Sequence, residues 1–283
     1  MLDKSKISSQ WGRLSWFEKG CFVGVISVIV LAVVGPWIAP HDPYFVDLDK
    51  SLLPPSSEHW FGTDVDGRDI LSRLLFGARS TLLAPLGVIV FAASVGTVIG
   101  TIAALNPGVV DELIMRLCDV GLAFPALVLS IGLASALGPS LRSAIIALAL
   151  TWWPGYARLV RSLVLEVTHK EFIESAKVLG VPRRKIVFRH ILPNALNAMY
   201  VQTTIDVSAV ILVISGLSFI GAGAQPPSSE WGAMVTSGRD YMLTGWWTVV
   251  VPGIAISLTA MLFNLSGDAL RVLNDPTLKQ SRG

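Results

Sequence analysis

The amino-acid sequence predicts an all-α membrane protein with six transmembrane helices. Charged residues make up only 15% of its 283 residues, whereas soluble domains usually carry about 25%. Six apolar stretches are each close to the roughly 20 residues that a helix needs to cross a bilayer. Lysine and arginine collect in a few segments, mostly outside these stretches, as they do in membrane proteins with a defined orientation.

Helices are the expected form of all six stretches, because backbone groups inside lipid must be hydrogen-bonded within their own segment. The first follows basic residues and is longer than the apolar region of a signal peptide, so we interpret it as a retained helix. In the third, Arg116 and Asp119 lie near the start and Pro125 interrupts the apolar run. The stretches are Gly20–Ile38, Leu82–Leu105, Leu113–Leu137, Ala144–Leu165, Ala198–Phe219 and Trp246–Leu265.

The distribution of lysine and arginine predicts the orientation of the spans. The segment 40–80 has seven acidic residues against four basic ones. With six spans, both termini and the basic segment before the fifth span are expected in the cytoplasm, and segments 40–80 and Gly221–Thr244 on the other side. The clustered basic residues are Lys4, Lys6, Arg13 and Lys19; Arg158, Arg161, Lys170, Lys177, Arg183, Arg184, Lys185 and Arg189; and Arg271, Lys279 and Arg282.

Several functional classes are not supported by the sequence. A net charge of +2 is too small to indicate nucleic-acid binding. No phosphate-binding Gly-rich loop ending in Lys-Ser/Thr is present, so we expect no ATP binding by this chain. No nucleophile–base constellation of a membrane enzyme is visible. We also predict no metal site, because Cys21 and Cys118 lie in apolar runs and the histidines lack ligand spacing: His41, His59, His169 and His190.

A pair of glycines in the second stretch has the spacing of a helix-packing motif. Gly96 and Gly100 are four residues apart, which lets two membrane helices approach closely. The same spacing also arises by chance in apolar sequence.

The segment 166–193 predicts two short helices joined by a glycine-centred turn. Gly180 suits a helix C-terminus that needs a positive φ, and Pro182 suits the first turn of a following helix. Pro193 is expected to end the second helix. The first helix shows apolar residues at helical spacing with charges between them: Phe172, Ile173, Ala176 and Leu179.

A cationic, amphipathic helix pair on the cytoplasmic side suits two roles. It can lie on anionic lipid headgroups, which composition alone favours, or it can dock a protein partner. Glu174 is expected to orient the pair through a hydrogen bond or an ion pair, or else to be a solvated charge.

Two further places carry charges that need an explanation. Thr63–Arg73 contains Asp64, Asp66, Arg68 and Asp69, without the spacing of a calcium loop. It predicts a turn and a helix start held by ion pairs, or alternatively a contact with another protein. Asp206 lies within the fifth stretch, where an acid faces either a transport pathway or a structural partner.

The spacing Glu174-x-Ala176, then Gly180 and later Leu192-Pro193, resembles the EAA loop of binding-protein-dependent ABC importer permeases. Ser175 stands where alanine is often found in that family, and His190 where isoleucine is often found. The resemblance implies a coupling helix that sits in a cleft of the ATPase subunit. We assign coupling to Glu174, Ser175, Ala176, Gly180, Arg183, Leu192 and Pro193.

Other motifs extend the resemblance over almost the whole chain. Their order along the chain resembles that in the oligopeptide, dipeptide and nickel ABC permeases. Within that group, the chain resembles the second of the two paired permeases. The motifs are Phe61–Asp64 with Gly67–Asp69 and Ser72-Arg73, Leu217–Gly221 with Glu230–Gly232, and Phe263–Leu265 with Gly267-Asp268 and Asp275-Pro276.

The resemblance implies a non-catalytic permease of the bacterial inner membrane with the type I ABC importer fold. It implies a pathway for di- or oligopeptides by alternating access, or alternatively for nickel or metal chelates. Expected partners are a homologous permease, two ATPases that bind ATP and magnesium, and an extracytoplasmic binding protein.

The chain is expected to divide into two parts, and further residues are candidates for function. Residues 1–80 form the tail, first span and outer segment, and residues 81–283 the five-helix core with coupling loop 166–193. Asp206 is assigned to the pathway. Contact with the binding protein is assigned to Asp64, Arg68, Asp69, Glu230 and Trp231.

Overall fold

The computed structural model describes residues 14–274 and confirms a helical protein. The side chains of residues 197, 198, 272 and 274 are not described. The basic residues of the extreme tails and the Asp275-Pro276 motif lie outside the described residues. The helices are α1 Trp16–Ile38, α2 Ile70–Leu105, α3 Val109–Ala123, α4 Ala126–Ala136, α5 Leu141–Thr168, α6 Glu171–Val178, α7 Arg183–Ile186, α8 Leu192–Phe219, α9 Trp231–Gly238 and α10 Trp247–Asn274. Short 3-10 turns occupy Leu48–Lys50 and Arg239–Tyr241, and a π-helical turn occupies Val187–Ile191.

Four helices in the described part of the chain are long and apolar enough to cross a membrane: α1, α2, the Met199–Phe219 part of α8, and the Trp247–Arg271 part of α10. The pair α3 and α4 makes a fifth span if the two are counted as one. The fourth predicted stretch does form a helix, α5, which is 28 residues long. Its arginines and its Trp-Trp-Pro-Gly-Tyr centre lower its hydropathy, so composition alone does not count it as a sixth span.

The break between α3 and α4 lies where proline interrupts the predicted third span. The two helices are bent by 85°. Phe124 has an extended backbone with ψ 140°, because a following proline disfavours the helical conformation of the residue before it. Pro125 directly precedes α4, and its carbonyl accepts from the Leu129 amide at 3.1 Å.

The first of two compact units contains the described parts of Met1–Leu86, Ala134–Ile145 and Thr204–Gly283. Within it, α1 packs on α10. A Cβ added to Gly24 would lie 2.6 Å from the Leu262 side chain, and one on Gly35 would lie 2.6 Å from the Leu75 carbonyl oxygen. Glycine therefore permits both close approaches of α1.

The second unit contains Gly87–Leu133 and Ile146–Thr203. Within it, α2 packs closely against α5 at both predicted glycines. A Cβ on Gly96 would lie 2.4 Å from Cβ of Tyr156, and one on Gly100 would lie 2.3 Å from the Ala157 carbonyl oxygen. The predicted packing role of the motif is therefore confirmed.

Ion pairs join α3 to α5 in the second unit. The guanidinium of Arg161 donates to both carboxylate oxygens of Asp111, each at 2.5 Å. Arg158 of α5 forms a second ion pair with Asp119 of α3. These pairs hold the second half of α5, the half that leads into the coupling loop, against α3.

Candidate functional site

The predicted coupling loop contains a helix that ends in a Schellman turn. The Val181 amide donates to the Ala176 carbonyl at 3.1 Å, and the Gly180 amide donates to Lys177 at 3.0 Å. Gly180 has a φ of +73°, the left-handed conformation that glycine adopts without strain. The glycine-centred turn after α6 is therefore as predicted.

The apolar residues of α6 are mostly on its surface. Ile173 is fully buried, and it anchors the helix. Phe172 is exposed, however, and Val178 and Leu179 are 87% and 81% exposed. Phe188, after the turn, is also exposed. Large apolar side chains exposed next to one another indicate a surface that another molecule covers.

Val178, Leu179 and Phe188 are not among the residues that the sequence motif picks out. For Val178 and Leu179, the sequence offers one clue, which is that both directly precede a glycine that ends a helix. Periodicity alone instead places Leu179 on the buried side with Ile173. The structure separates the two, because Leu179 is the last residue before the backbone reverses at Gly180.

Glu174 lies in the first turn of α6 and is exposed. Among the described residues its carboxylate forms no hydrogen bond or ion pair, which matches the alternative of a solvated charge in the isolated chain. Its charge still suits a helix N-terminus, where the macrodipole is positive. Ser175 beside it is exposed too, and Ala176 is partly buried.

Arg183 fixes the segment after the turn. Its guanidinium donates to the carbonyl of Leu105, the last residue of α2. A cation at this position satisfies one of the carbonyls that a helix end leaves without a partner. Ile186, Val187 and Ile191 are buried on the same segment.

The prediction that Pro193 ends a second helix is wrong. The segment continues from α7 through a π-helical turn into α8, and Pro193 is the second residue of α8. The Leu192 amide donates to Val187, five residues back. This wider turn, directly before a residue without an N–H, lets the helix continue through the proline. The Asn194 side chain donates to the His190 carbonyl at 2.6 Å.

The outer segment of the first unit is held by buried charges, as predicted. Asp64 accepts from Arg68 Nε at 2.9 Å and lies 3.0 Å from Arg73 Nη1. Arg73 also donates to the Ser228 carbonyl at 2.9 Å. All three charged side chains are buried, so they join the start of α2 to the loop before α9.

Glu230 and Trp231 lie at the start of α9, directly after this loop. Glu230 caps α9, and its carboxylate accepts from the Gly232 and Ala233 amides at 3.0 and 2.9 Å. Burial raises the pKa of Glu230 above its ordinary value. Trp231 donates from its indole to the Leu74 carbonyl at 2.9 Å.

The five residues assigned to a binding-protein contact share one property, which is burial: Asp64, Arg68, Asp69, Glu230 and Trp231 are at most 8% exposed. These side chains therefore shape the outer segment from within. Asp206 lies in α8 and is partly buried.

Comparison with protein families identifies the class of the chain. Residues 96–280 match the family described as binding-protein-dependent transport system inner membrane component. Residues 20–55 match the N-terminal transmembrane domain of oligopeptide transport permease C.

Similar curated proteins cover nearly the full length of the chain. The probable D,D-dipeptide transport system permease protein DdpC of Escherichia coli strain K12 is 44% identical, with 93% of this chain and 91% of that protein aligned. The di/tripeptide permease protein DppC of Pseudomonas aeruginosa is 38% identical, over 93% and 90%. The glutathione permease protein GsiD of Escherichia coli O6:K15:H31 is 43% identical, over 90% and 84%.

A solved structure shares the fold. A chain from an inward-facing structure of the MetNI methionine ABC transporter aligns with a TM-score of 0.57 at 20% identity, covering 71% of this chain and 96% of that chain. With the family matches and the relatives, the chain belongs to the binding-protein-dependent inner-membrane components, within their oligopeptide and dipeptide permeases, and is a multi-pass ABC importer permease subunit.

Proposed function

We propose that this chain forms part of the translocation pathway for di- or oligopeptides in the bacterial inner membrane, and that partner ATPases drive it by alternating access. The relatives carry names of dipeptide, di/tripeptide and glutathione transport, which supports a peptide cargo. Nickel or metal-chelate import is the alternative cargo of the same family.

The observation that carries the coupling part of this proposal is the exposed surface of α6. Val178 and Leu179 present apolar side chains at the tip of a short helix whose own anchor, Ile173, is buried. Such a surface fits a groove in a partner protein. Lipid headgroups match the basic residues that follow the turn, but they do not match the first turn of α6, where Glu171 and Glu174 are negative.

Two connections can transmit a movement of α6 to the membrane-spanning helices. Arg183 ties the segment after Gly180 to the end of α2, and the π turn joins it without a break to α8. In this proposal, closure of the ATPases displaces α6 as a lever and reorients α5 and α8. The coupling residues are the predicted set, with Gly180 shaping the turn.

The topology that goes with this role has six spans, with α5 as the fourth and α3–α4 together as the third. Both termini and residues 166–193 are then cytoplasmic, and the α1–α2 and α8–α10 connections lie outside. Residues 1–80 supply the first span and the outer segment, and residues 81–283 the permease core.

The proposed complex has four kinds of component besides lipid: this chain, a homologous permease, two ATPases and an extracytoplasmic binding protein. ATP and magnesium bind to the ATPases. The outer segment faces the binding protein through exposed neighbours of the buried charges, such as Trp60, which is 69% exposed. Asp206 is the candidate pathway residue.

The test is a double substitution, Val178→Glu with Leu179→Glu, in the complex purified from membranes. We expect membrane insertion to persist, while ATPase copurification and peptide uptake fall by at least about tenfold, because two charges enter an apolar contact. Leu243→Glu is the matched control, since Leu243 is fully exposed in the α9–α10 connection. Normal ATPase binding in the double variant contradicts the coupling assignment.

Cargo is tested separately in vesicles that contain the wild-type complex and its binding protein. Uptake of labelled di- and oligopeptides is compared with uptake of nickel and nickel chelates. Peptide-only uptake supports the proposal, whereas uptake of the chelate alone selects the alternative.

A further inference from the structure

Two histidines and an aspartate that are distant in sequence meet in the outer segment. His41 follows α1, His59 lies in the loop, and Asp69 directly precedes α2. One possible ligand atom from each lies within 4.8 Å of those of the other two. The two imidazole rings are 4.8 Å apart between centroids. Their positions, 18 and 10 residues apart, give no recognisable ligand motif.

The separations between these atoms resemble those around a bound metal ion. His59 Nδ1 lies 2.9 Å from Asp69 Oδ1, and His41 Nδ1 lies 3.7 Å from Asp69 Oδ2. Ligand atoms about 2.1 Å from one tetrahedral zinc ion are about 3.4 Å from each other. The His59–Asp69 contact is a hydrogen bond, and the two contacts use different oxygens of Asp69, so the side chains must turn before both imidazoles and one carboxylate oxygen share an ion.

In this cluster, hydrogen bonds fix the carboxylate of Asp69, whereas the His41 side chain is free to turn. Asp69 Oδ2 accepts from the Ser72 amide at 2.8 Å and from its hydroxyl at 2.7 Å, which fixes the carboxylate. Bonds of this kind orient metal-binding carboxylates. The His41 side chain is 38% exposed, so it can turn toward an ion.

His59 has a buried nitrogen without a partner. The residue is 4% exposed, and its Nε2 forms no hydrogen bond within the described chain. A carboxylate oxygen of Glu58, Oε1, lies 3.9 Å from this nitrogen. An ion bound at Nδ1 puts the imidazole proton on Nε2, where Glu58 can accept it after a small movement.

The space and the charge around the cluster favour a cation. A cavity of about 140 Å³ lies beside the three residues and leaves room for water ligands. Asp42 and Asp47 also line it. Lys50 lines the cavity too, and its ammonium group is paired with Glu58 at 2.5 Å.

We propose that His41, His59 and Asp69 form a binding site for a first-row divalent cation of the zinc or nickel type. Imidazole and carboxylate together suit these ions rather than calcium or magnesium, which prefer oxygen ligands alone. The ion would clasp the loop after α1 to the start of α2. The site therefore has a structural role and is independent of the proposed cargo.

The test uses the full-length chain, purified through a tag without histidine, stripped with a chelator and equilibrated with ZnCl₂. We expect one zinc per chain after desalting, and a thermal midpoint that rises with zinc. His41→Gln and His59→Gln should each weaken zinc binding at least about tenfold. His169→Gln is the matched control, because His169 is exposed in the coupling loop.

The His41→Gln variant and one further variant, Lys50→Met, make the outcome more specific. His41→Gln leaves the His59–Asp69 bond in place, so a loss of zinc in it is not a loss of fold. Lys50→Met frees the Glu58 carboxylate and removes the positive neighbour, so zinc affinity should rise. Absence of stoichiometric zinc in the wild type, or zinc affinity equal to that of the wild type in either histidine variant, overturns the proposal. Binding only at millimolar zinc overturns it too.

Discussion

Arg183, in the first turn of α7, donates to the carbonyl of Leu105, the last residue of α2. This bond joins the segment after the coupling turn to a long membrane helix. It satisfies a carbonyl at a helix C-terminus with a cation, which is the favourable sign for the helix dipole.

Arg183→Ala should therefore weaken transport more than it weakens the fold. An exposed, charge-assisted bond of this kind contributes about 1 kcal/mol, so the thermal midpoint should change little. Loss of the connection should, however, reduce peptide uptake relative to ATP hydrolysis. The measurement is the number of peptides imported per ATP in vesicles, with Arg184→Ala as the neighbouring control. An unchanged ratio in Arg183→Ala contradicts a role in coupling.

Gly180 offers a second prediction, because its positive φ sets a rank order of substitutions. Asparagine tolerates the left-handed conformation better than alanine, and a β-branched residue tolerates it least. Open space surrounds a Cβ at Gly180, so conformation and not crowding decides the outcome in this chain. We expect uptake to decrease in the order Gly180, Asn, Ala, Val. If all three variants are equally impaired, contact with the partner governs this position instead.

The close approach of α2 to α5 gives a third prediction. Gly96→Val adds carbon atoms where even a Cβ lies 2.4 Å from Tyr156. Overpacking of this kind usually destabilises by about 1–3 kcal/mol. Gly87→Val, on the same helix, is the matched control, because nothing lies within 4 Å of its Cβ. A fluorescence-detected thermal midpoint should fall in the first variant only, and equal midpoints contradict the packing.

The coupling turn was predictable because its determinants are local. Gly180 and Pro182 each restrict the backbone in a way that can be read from one residue. Likewise, Pro125 marked the break in the third span. Because these determinants are local, the helix and the turn predicted for the EAA segment are also the ones observed.

Other features depend on packing and were not predictable in this way. Pro193 by itself predicts the end of a helix. In the structure, a five-residue π-helical turn precedes it, and the helix continues through the proline. The exposure of Leu179 and the burial of Ile173 depend on which face of α6 meets the rest of the chain. His41 and His59 meet Asp69 only because the outer segment folds back over the start of α2.

Glu230 gives a prediction for pH. Burial raises its pKa, and this effect exceeds the opposing hydrogen bonds from Gly232 and Ala233. A carboxyl with a higher pKa in the folded state binds its proton more tightly there. Its contribution to stability is therefore present below the unfolded-state pKa of about 4.3 and is lost as the pH rises through the folded-state pKa.

Glu230→Gln removes the titration while keeping the shape of the side chain and one acceptor for the α9 amides. The thermal midpoint of the wild type relative to this variant should thus decrease as the pH is raised from about 4 to about 8. Glu58 provides the opposite case, since the hydrogen bond and charge of Lys50 lower its pKa. The wild type relative to Glu58→Gln should instead gain stability as the pH rises from the lowered folded-state pKa to the unfolded-state pKa, and should keep that gain at higher pH. A midpoint difference for Glu230→Gln that does not depend on pH contradicts burial of a titrating carboxyl at the start of α9.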